Sequence, residues 1–493
     1  MVWLSSILIL LLTGYSLVWL LGMSQRHFVA DIAAAWFAGS GYLALASFFW
    51  TLGLHQRPAL TVSLAALGLP PLLFILFRRR YAEGIRASLS ACRSACYCPT
   101  AFRAAYVVLA AVAAAILVLI ILHGKNTPTN TDDGLKLRAY TPMLVYQGLL
   151  NPKAVYLILA NGSYASFVPV LGWQLQGSIN HFHVNYLQLT VLFFFLLTTF
   201  MSGVLRKQPQ MGIVAAFLLL SLPLFAYHET STYLDSTYAL MFAAAFLYVV
   251  RYCAEPDEVL LKHFLLFTFL TALVKQDGEI LALTSLAFGT AMVALGYRRN
   301  RKLPWKVLAA AGAVLLLYAL VKLTNGGNNL IAGVYHALVR SLGGTPAVEA
   351  PPMPGGSWEA DVYFFGKASA YSMTDLSNMF FYGLFDSGNF GIVFYVFIAS
   401  AAYHWRTIWR ARLLLPMLLF LALLGEVFVN AVFLHQESTM VQAGLHRYVM
   451  APAVTASVFI GLIWAAADDI VVTEPVASPA PKRRLGKRQR PSA

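Results

Sequence analysis

About thirteen apolar runs of bilayer-spanning length recur along this chain, and no other feature restricts its fold so strongly. They cover approximately residues 1–22, 31–54, 60–77, 104–123, 185–204, 212–227, 236–251, 260–275, 279–297, 306–323, 389–404, 412–433 and 449–467. Roughly 20 apolar residues in helical form cross the hydrocarbon core. Backbone N–H and C=O groups placed there must pair within their own segment, which helices achieve and open sheets do not. The alternating, strand-length pattern of an outer-membrane barrel is absent. The expected fold is therefore an all-α polytopic membrane protein with about 13 transmembrane helices. Composition agrees: 59% of the 493 residues are hydrophobic, 11% are charged, and mean hydropathy is +0.68. Soluble domains are about a quarter charged. A soluble enzyme, a disordered chain, a disulfide-stapled secreted domain and a single-span receptor are all excluded. Residues 1–22 lack a basic leading region and an A-x-A cleavage site, so they read as a retained helix rather than a signal peptide.

Thirteen crossings place the two ends of the chain on opposite sides, and the distribution of Lys and Arg then chooses the orientation. With the C-terminal tail inside, 25 of the 35 Lys and Arg residues fall on the inner side, including Arg78, Arg79, Arg80 and the tail cluster Lys482, Arg483, Arg484. Only eight of the 21 acidic residues fall there. The expected placement is multi-pass in the inner (plasma) membrane, with a cytoplasmic tail and the functional face on the periplasmic or extracellular side. The formal charge of +14 then belongs to the cytoplasmic membrane surface, where it sets orientation and attracts anionic lipid, and it does not indicate nucleic acid. The four cysteines, Cys92, Cys96, Cys98 and Cys253, all fall inside, so no disulfide is expected. Cys92, Cys96 and Cys98 lack the fourth ligand and the spacing of a zinc site.

Two long loops lie on the outer face, 124–184 and 324–388, and both read as structured, with interfacial helices. Leu135, Leu137, Tyr140, Met143, Leu144 and Gln147 recur at helical spacing in the first, and the second is rich in aromatic residues. The first carries Asp132-Asp133-Gly134, followed by Lys136 and Arg138. An Asp at this point caps a helix start, yet two adjacent carboxylates exceed what a cap needs. The pair is equally a candidate catalytic base or metal site. His181 and His183 share one face of an extended segment and, with Asp132 or Asp133, could hold a divalent cation such as Mg or Mn. Further ionisable groups reach the same face: His228, Glu229 and Asp235 between the sixth and seventh runs, Lys275, Asp277 and Glu279 between the eighth and ninth, and Glu437, Arg447 and Tyr448 before the last. Glu426 lies inside the twelfth run, and an intramembrane carboxylate is a functional candidate by default.

Taken in order, these residues resemble the GT-C superfamily of membrane glycosyltransferases, the broad class that includes protein O-mannosyltransferases and aminoarabinose transferases. The resemblance covers roughly 104–467. It rests on the acidic pair Asp132-Asp133 in the first outer loop, on Tyr227 to Asp235 before an Ala/Phe-rich span, on the turn Lys275-Gln276-Asp277-Gly278, and on Arg447-Tyr448 before the final helix. It implies transfer of a sugar from a polyprenyl-phosphate donor to a glycan, lipid or protein acceptor on the outer face. Asp132 or Asp133 would act as the base of an inverting displacement or as metal ligand. Lys136, Arg138, Lys275, Arg447 and Tyr448 would hold the donor phosphate, and His228, Glu229, Asp235, Asp277 and Glu437 the sugar or acceptor. The chain departs from the pattern in its three additional N-terminal spans and in the Asp-Asp order of the pair.

The expected organisation is three additional N-terminal helices and a basic cytoplasmic loop over 1–103, a catalytic core over 104–323, the second outer loop over 324–388, C-terminal helices over 389–467 and a basic tail over 468–493. A secondary transporter is the alternative from a different class, but it calls for two related halves with ionisable residues at the midplane, and no internal repeat is found. A lipid-linked glycan polymerase or ligase would need an Arg-rich large loop, whereas 324–388 carries only Arg340 and Lys367.

Overall fold

A computed structural model describes residues 2–95, 104–126, 140–180, 182–231, 233–275, 277–300, 304–325, 381, 383–410, 413–434 and 438–473. These residues are helical with no strand among them. In chain order the helices are α1 (Val2–Leu20), α2 (Phe28–Leu54), α3 (Leu60–Leu76), α4 (Arg78–Ala95), α5 (Ala104–Asn126), α6 (Tyr140–Gln147), α7 (Pro152–Asn161), α8 (Ser163–Gln176), α9 (Phe182–Leu205) and α10 (Pro209–Leu220). They continue with α11 (Pro223–Ser231), α12 (Leu234–Ala254), α13 (Glu258–Val274), α14 (Asp277–Asn300) and α15 (Trp305–Thr324). The last five are α16 (Ser387–Phe390), α17 (Val393–Tyr403), α18 (Trp405–Arg410), α19 (Leu414–Leu434) and α20 (Ser438–Thr473).

Helices occupy every one of the thirteen apolar runs. Among the described residues seven are long and apolar enough to cross a membrane unaided, or up to nine if each of two bent pairs, α3 with α4 and α10 with α11, counts as one span. The other four runs form helices whose described apolar stretch is shorter than 18 residues. Among the described residues the chain is thus all-α, with seven to nine helices or helix pairs long and apolar enough to span a membrane. Both bends have a local cause. Pro223 cannot extend the hydrogen-bonded ladder of α10, so the chain restarts as α11 at 76°. At Phe77 the apolar run gives way to three arginines, and α4 leaves α3 at 88°.

Within the bundle, α12 forms the centre. Its spanning stretch and that of α20 are each 89% buried, whereas those of α5 and α15 are 11% buried and form the periphery. Ala239, Ala243, Ala244 and Ala245 let α12 sit close to its neighbours α13, α20 and α9. The N-terminal helices are woven into this core. Gly14 of α1 lies against the Ala35 carbonyl of α2, and Gly39 against the Leu10 carbonyl, a backbone approach that any Cβ would block. Helix α2 then meets the core through Trp36 stacked on Phe194, Phe37 against Phe267, and Phe48 stacked on Tyr318.

The 124–184 segment, expected as the first outer loop, is largely helical where it is described. The expected helix around 135–147 is seen as α6, with Leu144 and Val145 buried, while 127–139 lies outside the described residues. Helix α8 is a further helix of this segment, buried where an interfacial one was expected. It is too short to span, yet it packs among α2, α6 and α13, with Phe167, Leu171 and Trp173 in the core. Most of 324–388 lies outside the described residues.

Candidate functional site

The ionisable residues converge because neighbouring helices are antiparallel. Helices α12 and α13 are joined by the short 255–257 link, so the start of α12 and the end of α13 lie at the same end of the bundle. Asp235 stands in the first turn of α12, where a carboxylate complements the positive end of the helix dipole. Its side chain is 1% exposed. Lys275, at the C-cap of α13, donates from Nζ to Oδ1 of Asp235 at 3.0 Å, and Arg447 of α20 donates from Nε to Oδ2 at 2.9 Å. His228 of α11 brings Nδ1 to 3.8 Å from Oδ2. Residues of three other segments thus meet on one buried carboxylate of α12.

Aromatic and amide groups fix this arrangement. Tyr233 stacks on His228 with centroids 4.5 Å apart, and the Arg447 guanidinium lies 5.1 Å from the Tyr233 ring on its other contact. Lys275 lies 5.7 Å from the Tyr238 ring. Such cation–π contacts add to the ion pairs and restrict both cations to one region. Gln188 of α9 donates from Nε2 to the His228 carbonyl at 2.8 Å, the Tyr233 carbonyl at 3.1 Å and the Ser236 hydroxyl at 2.8 Å, which braces the α11–α12 turn. The carboxylate is sealed while its cations are not: Lys275 is 21% exposed and Arg447 35%. The result is a cationic rim above a buried counter-charge, an arrangement suited to an anionic group such as a phosphate, since guanidinium forks and ammonium point charges both bind phosphate well.

Beside the rim, a small cleft of about 40 Å³ runs between α8, α9 and α12, with Val168, Val184, Leu187 and Leu234 among its apolar walls. Leu234 precedes Asp235, and Gln188 lines the same cleft. Glu229, adjacent to His228, is completely buried.

A second charged pair lies in the same end of the bundle, and one partner, Lys322, escaped the sequence reading. Glu279, in the first turns of α14, pairs with Lys322 near the end of α15 and accepts a 2.9 Å hydrogen bond from the Tyr318 hydroxyl. The pair's signal was present in the form of Lys322 near the end of the apolar run 306–323, far from Lys306 at the basic start of that run, and a single Glu opening 279–297. Polar groups at the opposite end of α12 form a separate network. Asp31 accepts from Ser24 Oγ at 2.7 Å, the Gln25 amide at 2.8 Å and Ser88 Oγ at 3.3 Å, while Gln25 joins Tyr248 and Arg251, each at 3.1 Å. Asp31 and Arg251 thus lie at the opposite end of the bundle from Asp235, Lys275 and Arg447.

Of the residues singled out from sequence, His228, Asp235, Lys275 and Arg447 come together, with Glu229 buried next to His228 in sequence and Tyr448 next to Arg447 and half-buried. Asp132, Asp133, Lys136, Arg138, His181 and Glu437 lie outside the described residues, and for Asp277, His183 and Glu426 only the backbone is described. Among the described residues no group of three or more His, Cys, Asp or Glu is arranged to hold a metal ion. The Asp132, Asp133, His181 and His183 set falls outside that search. No family model, no curated protein and no solved structure matches the chain.

Proposed function

We propose that this protein is a membrane glycosyltransferase that moves a sugar from a polyprenyl-phosphate donor to an acceptor at the outer face. The observation that carries this reading is the convergence of Lys275 and Arg447, partly exposed, on the sealed carboxylate of Asp235. Displacing polyprenyl phosphate at an anomeric carbon requires a base for the acceptor hydroxyl, a cation for the charge growing on the phosphate, and an apolar path for the prenyl chain. The rim supplies the cation, with Asp235 as its positioning residue. The prenyl chain starts beside the apolar residues Val168, Leu187 and Leu234, whose cleft of about 40 Å³ must widen to admit an isoprene unit. Asp132 or Asp133 is the base or metal ligand in this reading, with Lys136 and Arg138 as further phosphate contacts. An inverting displacement needs a single base and no covalent intermediate, unlike the carboxylate pair of a retaining glycosidase. Thirteen crossings with an inner-side tail complete the proposal, and they put the cluster on the outer face.

The broken helix α10–α11 beside ionisable residues favours a second reading, a secondary transporter, because such folds build their sites at interrupted helices. Transfer from synthetic polyprenyl-phosphate sugars in nanodiscs separates the two. Asp132→Asn and Asp133→Asn retain capping ability, so one of them should lower transfer by on the order of a hundred- to ten-thousand-fold if a general base is lost. Full activity in both single variants and in the double variant overturns the assignment of the acidic pair. Substrate uptake into proteoliposomes without transfer would establish the transporter.

A further inference from the structure

Helix α4 is set at 88° to α3, whose exposed Leu69, Leu72, Ile75 and Leu76 mark it as lipid-facing. A helix at right angles to a membrane-crossing neighbour lies along the membrane surface. One side of α4 is docked on the protein. Tyr81, Gly84 and Ser88, spaced at three and four residues, form that side: Tyr81 meets Trp19 and stacks on Phe74, Gly84 faces the Trp19 ring, and Ser88 is buried with its hydroxyl on Asp31. Around the rest of the helix Arg78, Arg79, Arg80 and Arg86 are exposed, with Glu83 as the one exposed acidic residue among them. Leu89, 45% exposed, lies on the flank between the docked and the charged sides.

The position of three of these arginines is unfavourable in isolation. They fill the first turn of α4, where the helix dipole is positive and acidic residues are preferred, and that turn contains no acid. A helix built in this way is stabilised by an anionic surface at its N-terminus. Clusters of four or more Lys and Arg next to a spanning helix recognise anionic phospholipid headgroups.

We propose that α4 is an in-plane helix that binds anionic phospholipid of the leaflet at which α3 ends, through Arg78, Arg79, Arg80 and Arg86. The contact is relayed inward by the Ser88–Asp31 hydrogen bond, and Asp31 in turn holds the 24–25 segment that leads to Tyr248 and Arg251 of α12. Lipid binding at α4 therefore steadies the end of α12 opposite Asp235.

Hydrogen exchange of the full chain in nanodiscs tests this. One set of discs is phosphatidylcholine alone, and the other contains about a third phosphatidylglycerol. The expected result is slower exchange of the 78–91 amides in the anionic discs, by tenfold or more at low salt, with the difference shrinking as salt screens the charges. Substitution of the four arginines by Gln should abolish the difference, and substitution by Lys should preserve most of it. Equal exchange of wild-type α4 in both lipids overturns the proposal, and so does an undiminished lipid effect in the Gln variant. Should the Gln variant fail to assemble, the wild-type comparison across lipid composition and salt decides alone.

Discussion

Replacing Asp235 by Asn should be among the most damaging single changes in the bundle, and its cost can be worked from the geometry. The substitution keeps size and one oxygen acceptor but removes the charge shared by Lys275 at 3.0 Å and Arg447 at 2.9 Å. Each hydrogen bond to a charged group contributes about 1.5–3 kcal/mol net. Both cations are partly exposed and regain some hydration, so the lower end applies to each, about 3 kcal/mol together. Loss of the favourable dipole term at the start of α12 adds about 0.5 kcal/mol. Breaking a wholly buried ion pair from one side costs about 3–5 kcal/mol, which sets the ceiling. Equilibrium unfolding in mixed detergent micelles should therefore place Asp235→Asn about 3–4 kcal/mol below wild type. The double variant Asp235→Asn/Lys275→Met removes one of the two cations left behind. It should lie at least about 1 kcal/mol above the sum of the single effects, the coupling expected of residues in one network. A single variant within about 0.5 kcal/mol of wild type, or strictly additive effects, would show that the cluster does not act as a unit.

Three further predictions follow from other parts of the molecule. Glu279→Gln should destabilise the α14–α15 contact by about 2–3 kcal/mol in the same assay, and adding Lys322→Met should recover part of that loss, because the uncompensated cation is then gone; no recovery would refute the pairing. Gly162→Ala should prevent native packing of α8, since Gly162 has φ of +80° and its missing Cβ would meet the Leu273 and Val274 carbonyls; wild-type thermal stability would contradict this. Cysteines introduced at Asn126 and at exposed Ala87 should be labelled from opposite sides of the membrane, Asn126 from outside; labelling of both from one side would overturn the orientation.

The fold class was legible because bilayer-length apolar runs admit few alternatives, and each of those runs is helical. The meeting of His228, Asp235, Lys275 and Arg447 was legible in part. Each flanks an apolar run, and alternating the runs through a membrane delivers all four to one side. Asp235 as the hub was not legible, because its partner Arg447 lies 212 residues away and such a pairing has no local signature. The Glu279–Lys322 pair was missed for the same reason. Composition also concealed α4, whose arginines read as a basic loop although Tyr81, Gly84 and Ser88 recur at helical spacing. The burial of α8 depends on the left-handed backbone at Gly162, which brings it against the end of α13 and which sequence periodicity does not record. The N-terminal helices read as an addition ahead of the rest of the bundle, and the aromatic contacts of α2 with α9, α13 and α15 pack them against it, a feature that no local pattern records.

The central claim is that Lys275 and Arg447 form the seat of a lipid phosphate. Electron cryomicroscopy of the protein in nanodiscs loaded with polyprenyl phosphate tests it directly. The account predicts phosphate density within hydrogen-bonding distance of Lys Nζ and the Arg guanidinium, with the prenyl chain entering between α8, α9 and α12. Phosphate density located elsewhere, with Lys275 and Arg447 still paired to Asp235 and no ligand at the rim, would contradict it.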